Sequence, residues 1–136
     1  MSELKIQPYK MVFGWENDNG IGEKLIQQIL IGEKTATCAP KEEYSEDELE
    51  EMFEPVGKVF TVFDKEGNAR CNVKLKEVFE TTFGNPDLRL VRGEGNGEDI
   101  KTFQEEHKAA WQNIGIELKE ETVLVVELFE LADGVL

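Results

Sequence analysis

Three short stretches of the sequence carry residue types that could do chemistry. The first, GEKTAT, holds Lys34 and Thr37, an amine and a hydroxyl group close together in the chain. The second, RGEGNGED, holds Glu94 among glycines, just before a predicted helix. The third is His107, which Trp111 follows one turn later on that helix. Amines, hydroxyl groups, carboxylates and imidazoles are the groups that nucleophilic and general acid–base catalysis use.

Lys34 allows two interpretations. It follows a predicted helix, so it could be a surface cation that interacts favourably with the helix C-terminus. Alternatively, it holds an anionic group or activates the hydroxyl of Thr37, which would require a shielded environment. Side chains three apart on a regular strand face opposite sides, so the two residues can meet one substrate only if the backbone turns between them.

Glu94 and His107 are open to the same two kinds of interpretation. Backbone N–H groups at the start of the following helix would favour the negative charge of Glu94. Gly93 and Gly95 would let the backbone approach a ligand, or they could serve only a turn that needs positive φ. His107 lies on the apolar stripe of its helix, where a half-buried structural histidine is common. Trp111 is a core residue by default, although a base could stack on it.

The charge balance limits the partners. Fifteen basic against 29 acidic residues give a net charge of −14, which repels a long phosphate backbone. Any nucleic-acid role therefore needs a local basic pocket, or a substrate no larger than a nucleoside or a short RNA, and no long nucleic acid is expected. The acidic run at 42–54 is either a docking segment for a basic partner or a solvated helix face.

The composition indicates one globular domain over residues 1–136. No apolar run reaches the roughly 18 to 20 residues of a membrane span, and the N-terminus lacks the apolar segment of a secretory signal. Cys38 and Cys71 form no disulfide framework, so a cytoplasmic location is expected. No cluster with metal-ligand spacing is visible, and we predict neither a metal nor a cofactor.

The elements that must position these residues can be predicted from periodicity. A helix should start after NDNG, run from Ile21 to Leu30 and stop at Gly32, with TATC following as a short strand or extended turn. A second helix should begin with a Ser45–Glu48 capping box and end before a proline.

The second half of the chain should add two strands, a buried strand and a helix. A hairpin turning at 64–68 and a central strand at 122–131 are predicted. The His107 helix should be capped by Asn96 and should end at Gly115. Helices mixed with largely antiparallel strands predict an α+β domain built on a small twisted barrel.

The order of these motifs resembles the ASCH domain family from about Met11 to Leu131. The resemblance rests on FG at 13–14, an amphipathic helix, GEKTATC, a hairpin, GEGNGED and FQEEH. It implies a PUA-like barrel, mixed or antiparallel and flanked by helices, with an RNA-related or nucleoside-related role.

Some members of that family are amidohydrolases that remove the acetyl group from N(4)-acetylcytidine. By motif match, their catalytic lysine, threonine and glutamate correspond to Lys34, Thr37 and Glu94. In such a site Thr37 would be the nucleophile, Lys34 would activate it and Glu94 would pass a proton to the leaving amine. Arg92 or the glycine-loop N–H groups would face the oxyanion.

This chain departs from the family pattern at three places. Arg92 replaces the first glutamate of an E-G-E-G loop, Phe103-Gln104 stands where a Trp-Arg pair is common, and Lys74 replaces a hairpin glutamate. These changes leave the proposed triad intact but alter the charge around the cleft. Because another member of the family has been described as a ribonuclease, ribonuclease activity on single-stranded RNA is an alternative, as is RNA or nucleotide binding without catalysis. A binding module would need a basic patch drawn from the following candidates: Lys34, Arg70, Arg89, Arg92, Lys101 and Lys108.

Overall fold

The computed structural model describes residues 5–132, and this range contains five strands and four α-helices. A one-turn 3-10 helix, Lys41–Glu43, connects the second strand to the second helix. In chain order the elements are β1 (Tyr9–Val12), α1 (Ile21–Leu30), β2 (Ala36–Pro40), α2 (Glu46–Glu51), β3 (Val59–Phe63), β4 (Ala69–Thr82), α3 (Leu88–Gly93), α4 (Ile100–Asn113) and β5 (Val123–Leu131).

The five strands form one curled mixed sheet, a half-barrel, in the order β1-β3-β4-β5-β2. β1 pairs with β3 in parallel, and the other neighbours are antiparallel. Register shifts interrupt β4 on both sides, which favours strong local twist and curvature. The predicted hairpin and the α+β class are confirmed. The predicted central strand is also confirmed, because β5 lies between β4 and β2.

Apolar side chains cover both faces of the sheet and form two clusters. On one face, Val125 and Phe129 of β5 pack with Ile26 and Ile29 of α1. On the opposite face, Val126 of β5 packs with residues of α3 and α4. Strand alternation therefore assigns each β5 side chain to one of two environments. Within residues 5–132, no helix has the length and apolar character needed to cross a membrane.

The start of α1 is held by Asp18, within the predicted NDNG signal. Its buried carboxylate accepts hydrogen bonds from the backbone N–H groups of Gly22 (2.9 Å) and Gly20 (3.0 Å) and from Lys65. Burial alone would raise the pKa of Asp18, but these hydrogen bonds lower it to about 2. The predicted stop is also confirmed, since Gly32 has a φ of 78° directly after the helix.

One predicted helix start is confirmed, another is wrong, and the short helix α3 is not predicted from the sequence. The Ser45–Glu48 capping box is present, with both reciprocal hydrogen bonds formed. The predicted cap of α4 is wrong: Asp99, not Asn96, precedes the helix and accepts a hydrogen bond from the Thr102 N–H. Helix α3 is too short, at six residues, to show a period in the sequence.

Candidate active site

Lys34 is a buried cation rather than a surface charge at a helix end. After α1 stops, the backbone N–H groups of Glu33 and Lys34 both bond to the Gln28 carbonyl, which turns the chain before β2 begins. The Lys34 side chain is thereby directed inward, and the residue is only 2% exposed. Its Nζ donates hydrogen bonds to the Ala36 carbonyl and to Oε1 of Glu94. A charge this well shielded requires such partners.

Glu94 lies at the C-terminal end of α3 and is also buried. Its Oε1 accepts from Lys34, and its Oε2 faces Nε2 of His107 at 2.6 Å and accepts from the Cys38 thiol at 3.8 Å. The expectation that N–H groups of the following helix support this charge is wrong, because its hydrogen-bond donors are side chains and α4 starts only at Ile100. Burial alone would raise the pKa of Glu94, but the charges of Lys34 and His107 lower it to about 2.

His107 carries a proton on both ring nitrogens in this arrangement. Nδ1 faces the carbonyl oxygen of Phe103 at 2.9 Å and Nε2 faces the Glu94 carboxylate, and both partners can only accept. Burial lowers the pKa of His107, but the charge of Glu94 outweighs it and the pKa lies well above 6.5. The buried cluster therefore holds two cations, Lys34 and His107, around one anion, Glu94.

Thr37 lies on β2, directly opposite Glu127 of β5. Lys34 and Thr37 could meet one substrate only if the backbone turns between them, and it does so before β2 begins. Lys34 precedes the strand, and both side chains line one cavity. Within residues 5–132 no group hydrogen-bonds to the Thr37 hydroxyl. The hydroxyl is thus available to a ligand.

The cavity joining these residues has a volume of about 740 Å³. Residues of β1, α1, β2 and α4 form its wall, and a hydrogen bond of 2.7 Å from Trp15 Nε1 to Asn113 Oδ1 connects the loop after β1 to the end of α4. This volume is within the range of small-molecule sites. The wall contains five aromatic side chains: Phe13, Trp15, Tyr44, Phe60 and Trp111.

The predicted ligand-binding residues divide into two groups. His107 and Trp111 line the cavity. Arg92 is exposed and pairs with Glu98 at 2.6 Å, outside the cavity wall. Gly93 is buried where a Cβ would lie 2.4 Å from that of Ala36, so its lack of a side chain serves helix–strand packing. Gly95 is exposed, with a φ of 85°.

The structure also brings together three potential metal ligands that sequence spacing does not reveal. Cys38, Glu94 and His107 place a sulfur, an oxygen and a nitrogen atom within 4.8 Å of one another. Burial raises the pKa of Cys38, so its thiol is protonated. A soft donor set of this kind suits zinc better than magnesium or manganese, and the Lys34 ammonium on Glu94 opposes any further cation.

Glu127 is a cavity residue that sequence reasoning missed. The sequence places it within a strand that is apolar on both faces. A carboxylate inside such an apolar run is unusual, and this alone could have identified Glu127 as a candidate.

The model of the ASCH domain matches residues 11–133 of the sequence. This chain belongs to the ASCH domain family. It is similar in structure to an ASCH domain from Lactobacillus crispatus JV V101, with a TM-score of 0.67 and 24% identity over 90% of this chain and 80% of that chain. A protein from Enterococcus faecalis V583 gives a TM-score of 0.73 and 19% identity over 95% of this chain and 83% of that chain.

These similarities establish the fold. The half-barrel is the α+β PUA-like fold that the motif order predicts, and the family assignment from sequence is confirmed. No curated protein matches the chain.

Proposed function

We propose that this ASCH domain protein is an amidohydrolase that removes an acyl group from the exocyclic amine of a nucleoside such as N(4)-acetylcytidine. The observation that carries the proposal is the shared cavity of Lys34, Thr37 and Glu94. A nucleophile, a proton relay and a charge to stabilise the oxyanion are what acyl transfer needs.

The contact between Lys34 and Glu94 allows the following order of proton transfers. Lys34 first passes one proton to Glu94 through their direct contact, and its neutral Nζ then accepts the proton of the Thr37 hydroxyl as the hydroxyl oxygen attacks the acyl carbon. Glu94 then protonates the leaving nitrogen as the acyl–nitrogen bond breaks and an acyl-Thr37 ester remains. Water attacks this ester, and its protons return along the same path. His107 keeps Glu94 oriented through the other oxygen.

The shape and lining of the cavity favour a nucleoside over a polymer. Aromatic side chains can stack on a base, and a neutral nucleoside avoids the repulsion from a net charge of −14. Arg92 faces Glu98 instead of the cavity, so an oxyanion role passes to the remaining N–H of Lys34 or to a backbone group.

Binding of longer RNA has less support. Of the six candidate basic residues, Lys34 is buried on Glu94, and three arginines pair with acids. Arg70 contacts Glu23 and Asp64, and Arg89 contacts Asp87 and Glu77. Basic side chains that are already paired with carboxylates offer less positive charge to the phosphates of an RNA. Metal-assisted RNA cleavage usually employs magnesium or manganese, which the cysteine-containing donor set does not suit.

The proposal can be tested with a mixture of N-acylated nucleosides followed by mass spectrometry. We expect N(4)-acetylcytidine to give cytidine and acetate in equal amounts. Thr37→Ala should reduce the rate by at least about 100-fold, and Thr37→Ser, which keeps a hydroxyl, should retain much of it. Unchanged hydrolysis by Thr37→Ala would remove this residue from the chemistry. Cleavage of a fluorescent RNA oligonucleotide in place of acyl release would favour the nuclease instead.

A further inference from the structure

Glu127 occupies an unusual position for a carboxylate. Its neighbours on the same face of β5, Val125 and Phe129, belong to the apolar cluster that packs on α1. The side chain is only partly exposed, and it borders the cavity described above. An acidic group within an apolar strand is costly to desolvate unless something pairs with it.

Residues 5–132 provide no such pairing. No hydrogen bond or ion pair to the Glu127 carboxyl group is formed within this range. Burial raises the pKa of Glu127 above its usual value of 4.5. The nearby Tyr44 responds in the same direction, since burial and then the charge of Glu127 raise the pKa of Tyr44 to about 12. Both effects describe a poorly solvated carboxyl group beside an open cavity.

The position of Glu127 relative to Thr37 is the second observation. The two residues are direct cross-strand partners between β2 and β5, and such partners have Cβ atoms about 4.5–5.5 Å apart on one face of the sheet. Both contribute to the cavity wall. A ligand that meets the Thr37 hydroxyl therefore lies within reach of the Glu127 carboxyl group.

We propose that Glu127 binds the base, taking up a proton on binding so that its carboxyl group pairs with an edge that presents a ring-nitrogen acceptor beside an exocyclic N–H. The O–H donates to the ring nitrogen and the carbonyl oxygen accepts from the N–H, so both polar atoms of the side chain are satisfied. The orientation of the base, with its exocyclic nitrogen towards Thr37, rests on the proposed function. The acyl carbon is one bond from the exocyclic nitrogen, so the group that holds this N–H and the group that attacks the carbon must be neighbours, as Glu127 and Thr37 are.

The N-acylated cytosine already proposed as substrate has this edge, because its acylated nitrogen keeps one hydrogen next to a ring nitrogen. An N-acyl amine without an adjacent acceptor would satisfy only half of the carboxyl group and should bind more weakly.

Binding of cytidine, measured by calorimetry, tests this inference without requiring hydrolysis. Glu127→Gln keeps one donor and one acceptor, and it should bind cytidine within about threefold of the wild type. Glu127→Leu removes both, and the affinity should fall by about ten- to a hundred-fold. The Leu variant should unfold at the same or a higher temperature, because an unpaired carboxyl group is removed; this shows that any loss of binding is not a loss of folding.

A second ligand isolates the exocyclic N–H. Pyrimidin-2-one riboside retains the ring nitrogen and lacks the exocyclic amine, so the wild type should prefer cytidine to it by about three- to tenfold. In Glu127→Leu this preference should disappear. Equal affinity of the wild type and the Leu variant for cytidine, or no binding by the wild type at millimolar cytidine, would overturn the inference. So would a loss in the Gln variant as large as that in the Leu variant.

The inference and the proposed function fail in different ways. If cytidine binding depends on Glu127 and no acylated nucleoside is hydrolysed, the binding role stands and the amidohydrolase proposal falls. If N(4)-acetylcytidine is hydrolysed at the wild-type rate by Glu127→Leu, the amidohydrolase proposal stands and the role of Glu127 falls.

Discussion

Replacing Glu94 by glutamine should destabilise the protein strongly, because one buried anion separates two buried cations. The side chains of Lys34 and Glu94 are 1% and 4% exposed, so solvent screens their interaction little. Glutamine has nearly the same shape but no charge, and it would leave Lys34 and His107 without a counter-charge. Removing one partner of a buried pair typically costs about 3–5 kcal/mol.

Lys34→Met provides the matched comparison. This change leaves Glu94 paired with His107 at 2.6 Å, so no charge is left without a partner. We expect a smaller loss, about 1–3 kcal/mol, which corresponds to the lost hydrogen bonds to a charged group. In the double variant His107 can lose its proton. The double variant should therefore be more stable than the sum of the two single effects predicts, by about 1–3 kcal/mol.

Urea unfolding of the four proteins at pH 7 measures this coupling. The linear dependence of the unfolding free energy on urea gives each stability, and the double-mutant cycle isolates the interaction. If the effects of Glu94→Gln and Lys34→Met add within about 0.5 kcal/mol, the two side chains do not interact as the structure describes.

Three further predictions concern the groups that position the site. Since the pKa of His107 is raised on folding, its stabilising effect is complete below about pH 6.5 and is lost as the pH rises through the folded-state pKa. The stability difference between wild type and His107→Gln, measured by urea unfolding, should therefore be largest below about pH 6.5 and should shrink as the pH is raised well above it. The pKa of Asp18 is lowered to about 2, so its contribution to stability is present above about pH 4 and is lost as the pH falls towards 2. Asp18→Asn should therefore be less stable than the wild type at pH 7, and urea unfolding should show this difference shrinking between about pH 4 and pH 2; a difference that stays constant over this range would contradict the role of the Asp18 charge. Gly93→Ala would place a Cβ 2.4 Å from that of Ala36, so it should lower the free energy of unfolding measured in urea by about 1–3 kcal/mol. Adding Ala36→Gly should restore part of this stability. A Gly93→Ala protein as stable as the wild type would show that the two backbones do not approach so closely.

Local patterns predict the elements that carry the site better than they predict the site itself. The helix before Lys34, its glycine stop and the following strand all follow from residues within a few positions of one another. The approach of Lys34 to Glu94 does not, because these residues are 60 positions apart and their contact depends on how β2 packs against α3. Their joint role was predicted only through family resemblance.

Two misses have clear physical causes. Helix α3 is only six residues long, so its apolar positions show no measurable period, and the sequence therefore places Glu94 in a loop just before the next helix instead of at the end of α3. Glu127 was overlooked because its strand is apolar on both faces, and the cavity that makes one of those faces polar is formed by elements from the other end of the chain.

Cytidine formation from N(4)-acetylcytidine by Lys34→Met, under single-turnover conditions, is the most direct test of the claim that the buried lysine belongs to a catalytic site. Lys58→Met is the matched control, since Lys58 is exposed and lies outside the cavity wall. We predict a rate at least about 100-fold below that of the wild type for Lys34→Met and an unchanged rate for Lys58→Met. Equal rates for all three proteins would contradict the account and leave Lys34 with a structural role.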